Sequence, residues 1–232
     1  MIKHIAVAVA LTLAPAAFAQ TYIVPEGDCG AITLHATRGT DFPNLGETIS
    51  IDRVKDAHVD QQRERVIVTP AVAGPHSLDF SANVPDQEEV VMAAVELKPV
   101  VSGNETRTEH AKTLLFCGPV TPRADWQRST GLGLEIYPQG WNGPRPHMKQ
   151  GDKMRFIVVA KGTPKPLLDL PMELYRAGAG HIASGVADPD GGMDFPYGEP
   201  GRYMVTATYR RPDPQQPEHW LVDTSTLTFE IK

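Results

Sequence analysis

Cysteine is scarce in this sequence. Only Cys29 and Cys117 occur in 232 residues, and no CxxC pair is present, which excludes a zinc ribbon or a thioredoxin-type redox centre. Positive charge is not in excess either. Twenty-two Lys and Arg stand against 28 Asp and Glu, a formal net charge of −6. That balance argues against a nucleic-acid binder, which would show a basic face. Past the first twenty residues no apolar run reaches the ~18 needed for a membrane-spanning helix, so the mature chain is expected not to be membrane-inserted. The chain also lacks GxSxG, HExxH, a Walker loop and a GxGxxG opening a helix. With no local catalytic signature, a non-enzymatic role is expected. No fixed-period repeat is present, which excludes a solenoid.

What is present begins with an address. Residues 1–20 read MIKHIAVAVALTLAPAAFAQ. Lys3 supplies the positive charge, a short apolar run follows, and Ala17-Phe18-Ala19 is an A-x-A cleavage site with Gln20 as the new N-terminus. A signal peptide over 1–19, cut between Ala19 and Gln20, implies export to the periplasm. In that oxidising compartment an even cysteine pair is expected as a disulfide, Cys29 to Cys117.

Glycine (20) and proline (21) together exceed the usual ~12%. Such punctuation suits short strands and turns. Strands are expected at 31–37, 64–69, 77–82, 89–97 and 112–117 in the first half. In the second half they are expected at 133–137, 153–160, 171–176, 201–210 and 221–231. In 201–210, Tyr203, Val205, Ala207 and Tyr209 fall on one face and Met204, Thr206 and Thr208 on the other. Residues 41–52 read as loop, 59–65 as a short helical turn, and 106–111 as either strand or loop. Strands at such spacing, with turns between, define β-sandwiches. The expected organisation is all-β, two Ig-like or transthyretin-like β-sandwich domains: an N-terminal one over 20–120, a linker at 121–130 and a C-terminal one over 131–232.

Candidate ligands for a metal are few. Seven histidines follow the leader, none at i, i+2 or i+4, so a site would have to assemble across the fold. His147 beside Met148 offers an imidazole and a thioether, a pairing suited to a soft metal such as copper. His35 reads as a half-buried strand residue and His219 as packing beside Trp220. The DPDGG segment at 188–192 has two carboxylates but not the spaced ligands of a calcium loop, and reads as a tight hairpin turn.

Three segments carry a family likeness: TRTEHAKTLLFCG (106–118), LGLEIYPQGWNGPRPHMKQGD (132–152), and GVADPDGGMDFPYGEPGRYMVTA (185–207) followed by TLTFEI (226–231). Together with Phe42-Pro43-Asn44 they resemble a bacterial periplasmic family, domain of unknown function 4198, often labelled a nickel- or cobalt-transport-like periplasmic component. The resemblance implies an exported, non-enzymatic β-sandwich protein acting in metal-ion (nickel- or cobalt-like) or small-solute uptake; with the copper suggested by His147 and Met148, the candidate metals are Ni, Co and Cu. Its partner would be a cell-envelope transporter or receptor. The alternative is a structural or interaction module partnering an outer-membrane receptor or another cell-envelope protein. Many family members begin the mature chain with His; here Gln20-Thr21-Tyr22-Ile23 stands at that place, and no ligand is carried across.

Overall fold

A computed structural model describes residues 19–27, 30–61, 64–68, 72–83, 90–118, 128–140, 144–145, 148–163 and 165–232. In chain order the strands are β1 (Gln20–Glu26), β2 (Ile32–Gly39), β3 (Glu47–Thr48), β4 (Val54–Gln61), β5 (Glu64–Ile67), β6 (Val72–Ala73), β7 (Leu78–Ala82), β8 (Val90–Leu97) and β9 (Val100–Ser102). They continue as β10 (Glu105–Phe116), β11 (Leu134–Pro138), β12 (Lys153–Ala160), β13 (Pro171–Arg176), β14 (Gly180–Val186), β15 (Gly192–Pro196), β16 (Gly201–Asp213) and β17 (Gln216–Ile231). The all-β expectation holds. Among the described residues no helix is long and apolar enough to cross a membrane. Of residues 1–19, where a cleavable leader is expected, all but Ala19 lie outside the described residues.

The strands form three sheets. A nine-stranded sheet runs β14-β13-β16-β17-β10-β8-β4-β5, with β9 beside β10. A five-stranded sheet (β1-β2-β7-β6, with β3 on β2) covers part of one face, and a three-stranded sheet (β11-β12-β15) covers the other. Strand β8 shows why the large sheet is buried on both sides. Its sequence VVMAAVEL is a continuous apolar run broken only by Glu96, with no polar alternation, and every residue is buried. Val91, Ala93, Val95 and Leu97 point into a core shared with the five-stranded sheet. Val90 and Met92 point oppositely, into the core under the three-stranded sheet.

The two halves of the chain meet through main-chain bonds. Strand β10 pairs with β17 in parallel, from Glu105 opposite Trp220 to Thr113 opposite Thr228. Such pairing needs a long crossover, and the chain supplies it by building β11 to β16 first. Strand β17 then fills both sides: Leu227, Phe229 and Ile231 enter the larger core, while the Thr226 and Thr228 hydroxyls donate to the Thr21 and Ile23 carbonyls of β1, each at 2.7 Å. The predicted faces of 201–210 are observed. Tyr203, Val205 and Ala207 sit in the larger core, and Met204 packs with Tyr22, Val24 and Phe42 on the other side.

Two local expectations change. The helical turn expected over 59–65 is not what 59–61 and 64–65 form; these are strand. They lie at the β4–β5 hairpin, with Asp60 opposite Arg65 and Gln61 opposite Glu64. Period two wins there because Ala57 and Val59 feed one core while His58 and Asp60 face the other way. The undecided stretch 106–111 is strand, since β10 starts at Glu105. The 188–192 turn forms as expected: the Gly191 amide donates to the Asp188 carbonyl at 2.8 Å, and Gly191 has φ +74°.

Candidate ligand groove

The five-stranded sheet covers its neighbour only in part. Beyond β1, the same face of the large sheet lies open over β10, β17, β16, β13 and β14. Period two decides what it presents. On β10, Ala111 and Leu115 are covered, and the odd-numbered Glu105, Arg107 and Glu109 continue that face into the open. On β16 the even series runs from Met204 to Thr206, Thr208 and Arg210, and on β17 Val222 and Thr224 precede Thr226. Strand β13 adds Glu173 and Tyr175, β14 adds His181 and Ser184, and the wall is made by Ala19, Gln20 and Arg38 of the β1–β2 hairpin. The result is a groove of about 690 Å³.

Its charges are held in pairs. Arg107 donates to Glu105 through Nε at 2.9 Å and Nη2 at 2.6 Å. The other Glu105 oxygen lies 3.3 Å from Arg210, whose guanidinium stacks 3.8 Å over the Trp220 ring. Arg107 first, and Arg210 after it, hold the Glu105 carboxyl below the usual carboxylate range. Glu109 accepts from the Thr21 hydroxyl at 2.5 Å and lies 3.3 Å from Arg38 Nε. Tyr175 donates to Glu173 at 2.7 Å and meets the His181 ring edge-on at 5.5 Å. Burial, then the hydrogen bond to Glu173, pushes the Tyr175 phenol up. Gln20 Oε1, a buried atom of the wall, makes no hydrogen bond.

A second polar cluster is closed. Lys112, 0% exposed, donates to Glu135, 2% exposed, at 2.7 Å. Glu135 also accepts from the Thr130 amide and hydroxyl, Ser129 and Tyr137. The Lys112 ammonium sits 4.5 Å from the Tyr137 ring, and Arg65 donates to the Thr130 carbonyl. Every oxygen is taken and none of the pair faces solvent, so this cluster joins the halves and has no place for a ligand. The buried Thr130 also shows that the end of the 121–130 stretch is built into the structure, while 119–127 lie outside the described residues.

The residues singled out by sequence are dispersed. Ala19 and Gln20 line the groove. Met148 is 8% exposed and packs in the larger core, so its thioether serves as filling there. His147 and Cys29 lie outside the described residues. Cys117 is half-buried against the second core and is not a free thiol. His35 sits between Asp79 (2.7 Å) and Glu26 (2.9 Å), and His219 contacts Thr106 at 2.8 Å. Among the described residues no group of three or more His, Cys, Asp and Glu is placed to hold a metal. Sequence reasoning missed Arg38, Glu105, Arg107, Glu109, Glu173 and Arg210. Their one local signal was ETRTE at 105–109, charges recurring every second residue.

The sequence matches the domain of unknown function DUF4198 over residues 17–211, and the chain belongs to that family. No curated protein matches it. Solved structures with some likeness include a study of host cell surface retention of a 1.5-MDa bacterial ice-binding adhesin (9% identity, TM-score 0.27, 93% of this chain and 66% of that one). Others are the BSP domain of a biofilm-associated protein (9%, 0.24, 92% and 51%) and a tetra-tandem repeat from the extending region of a large adhesion protein (12%, 0.23, 91% and 49%). The chain thus spans from about half to just under two thirds of those chains, and likeness at these scores carries no functional argument.

Proposed function

We propose that this protein is an exported, non-enzymatic binding module of the cell envelope that holds a small polar solute in the open-face groove. It would work beside an envelope transporter or receptor. The carrying observation is the groove itself: its volume lies within the ~300–1,000 Å³ common for small-molecule sites, and its polar groups converge from both halves of the chain. The reading favours a solute over a nickel-, cobalt- or copper-type ion, because the groove carboxylates are engaged by arginine, threonine or tyrosine. Calorimetric titration with small polar solutes and with Ni²⁺, Co²⁺, Cu²⁺ and Zn²⁺ tests it. Solute binding that is lost in Arg107→Ala supports the groove. Metal binding that ignores Arg107→Ala, or no binding at all, overturns it.

A second reading has its own observation. Strand β14 forms an edge of the large sheet and exposes Ile182 and Val186. An unprotected edge can accept a partner's strand. Ile182→Lys would abolish such a contact and leave solute binding intact.

Export also proposes a Cys29–Cys117 bridge, which would tie the β1–β2 turn to the end of β10. Iodoacetamide should label neither cysteine until a reductant is added, and reduction should lower stability by about 2–4 kcal/mol. Labelling of both without reductant excludes the bridge.

A further inference from the structure

Resting on the groove as a solute site, the geometry points to its ligand class: we propose a neutral, hydroxyl-rich solute, a short saccharide. Three guanidiniums (Arg38, Arg107, Arg210) and three carboxylates (Glu105, Glu109, Glu173) line the groove, so these side-chain charges cancel, and cleavage after Ala19 would add only the Gln20 α-ammonium beside them. An anion entering it meets three carboxylates, and a cation meets three guanidiniums. A zwitterion such as an amino acid gains only by separating pairs already formed, and Glu105 is held by two arginines at once. A hydroxyl has no such conflict. It donates to a carboxylate and accepts from a guanidinium, so adjacent hydroxyls can add to the outer side of an Arg–Glu pair and leave it whole. Hydrogen bonds to charged partners are about twice as strong as neutral ones. The pairs also fix one another in place before the ligand arrives, which lowers the ordering cost of binding.

The remaining lining agrees. Thr206, Thr208, Thr224 and Ser184 put side-chain hydroxyls among the charges. Val222 and the Tyr175 and His181 rings supply an apolar surface for the C–H face of a sugar ring.

The test uses the exported mature chain and isothermal titration with maltose, cellobiose and N,N′-diacetylchitobiose, against glycine, glutamate, lysine and inorganic phosphate. Saccharide binding that weakens about 10–100-fold in Glu105→Gln and in Arg210→Met, with the melting temperature of each variant measured alongside, supports the proposal. The doubly conservative Arg210→Lys should recover part of the loss. Groove-dependent binding of an amino acid or phosphate, and of no sugar, overturns the saccharide class and leaves the groove reading standing. Saccharide binding unchanged in folded variants places the sugar elsewhere and overturns the proposal. Failure of every probe overturns both.

Discussion

Replacing Lys112 by methionine should destabilise the protein by about 3–5 kcal/mol, the usual result of stripping one partner from a buried ion pair. The effect arises from what is left behind. Glu135 carries five donors, one of them the Lys112 ammonium, and five donors are compatible only with an ionised carboxylate. Without Lys112 that charge stays buried and uncompensated. Glu135→Gln should cost a comparable amount, because the lone ammonium is then stranded beneath Tyr137. The double variant Lys112→Met/Glu135→Leu should be less destabilised than the sum of the singles, since both charges are gone. It should not reach the parent, because the Thr130 amide loses its acceptor. Urea unfolding of the four proteins gives the cycle, and a Lys112→Met variant within 1 kcal/mol of the parent would sink the account.

The same pair sets a pH dependence. Burial alone would raise the Glu135 pKa, but the Lys112 charge and the hydrogen bonds bring it below its ordinary 4.5. A carboxylate with a depressed folded pKa contributes stability that is full above the unfolded value and lost as pH falls through the folded one. Burial pulls Lys112 down from 10.5 against the attraction of Glu135, and Glu135→Gln isolates the carboxylate's share of the acid-side loss. Below pH 4.5 the parent should therefore lose stability more steeply than Glu135→Gln. Equal acid limbs would remove the carboxylate from the explanation.

Strands with a clean period were legible. The spans 153–160 and 171–176 match β12 and β13 residue for residue, because one face is apolar and the other polar. Strand β14 was invisible: GHIASGV has no alternation to read, since it lies at an edge with almost every residue exposed or half-exposed. The strand ends at 59–61 and 64–65 were misread because Asp60 and Arg65 look like part of a solvated helical turn until their cross-strand placement is known; Arg65 lies 3.8 Å from both Asp56 and Asp60. Met148 beside a histidine looked like a ligand pair, yet burial decides the thioether's role, and burial depends on the opposite sheet. The groove was less legible still. Glu105 and Arg210 stand on strands that are not sheet neighbours, with β17 between them, and only the parallel β10–β17 pairing brings them together. No local spacing encodes a contact set by a crossover of that length. ETRTE told that a charged face exists, and the fold told that the face is a groove wall.

That same pairing makes a second strong prediction, at Phe229. Its ring stacks on Phe156 and on Tyr203, each at 5.6 Å between centroids, with planes 29° and 8° apart. Phe156 comes from the three-stranded sheet and Tyr203 and Phe229 from the large one, so the stack bridges those layers within their shared core. Phe229→Ala should cost about 3–5 kcal/mol, lost burial plus an unfilled cavity. Phe229→Leu keeps most of the volume and should cost less than about 1.5 kcal/mol. The manner of unfolding is the sharper readout. If the two halves were independent sandwiches, Phe229→Ala would lower one calorimetric transition and leave the other in place. But β17 is bonded along β10, and β10 also feeds the second core through Ala111 and Leu115. Loosening β17 therefore exposes the shared sheet, and one transition should shift as a whole. Amide exchange in β8, which is far from Phe229 in sequence and buried on both faces, should quicken in step with it. Two transitions, or exchange in β8 unchanged by Phe229→Ala, would show that the main-chain pairing between the halves does not make them one cooperative unit.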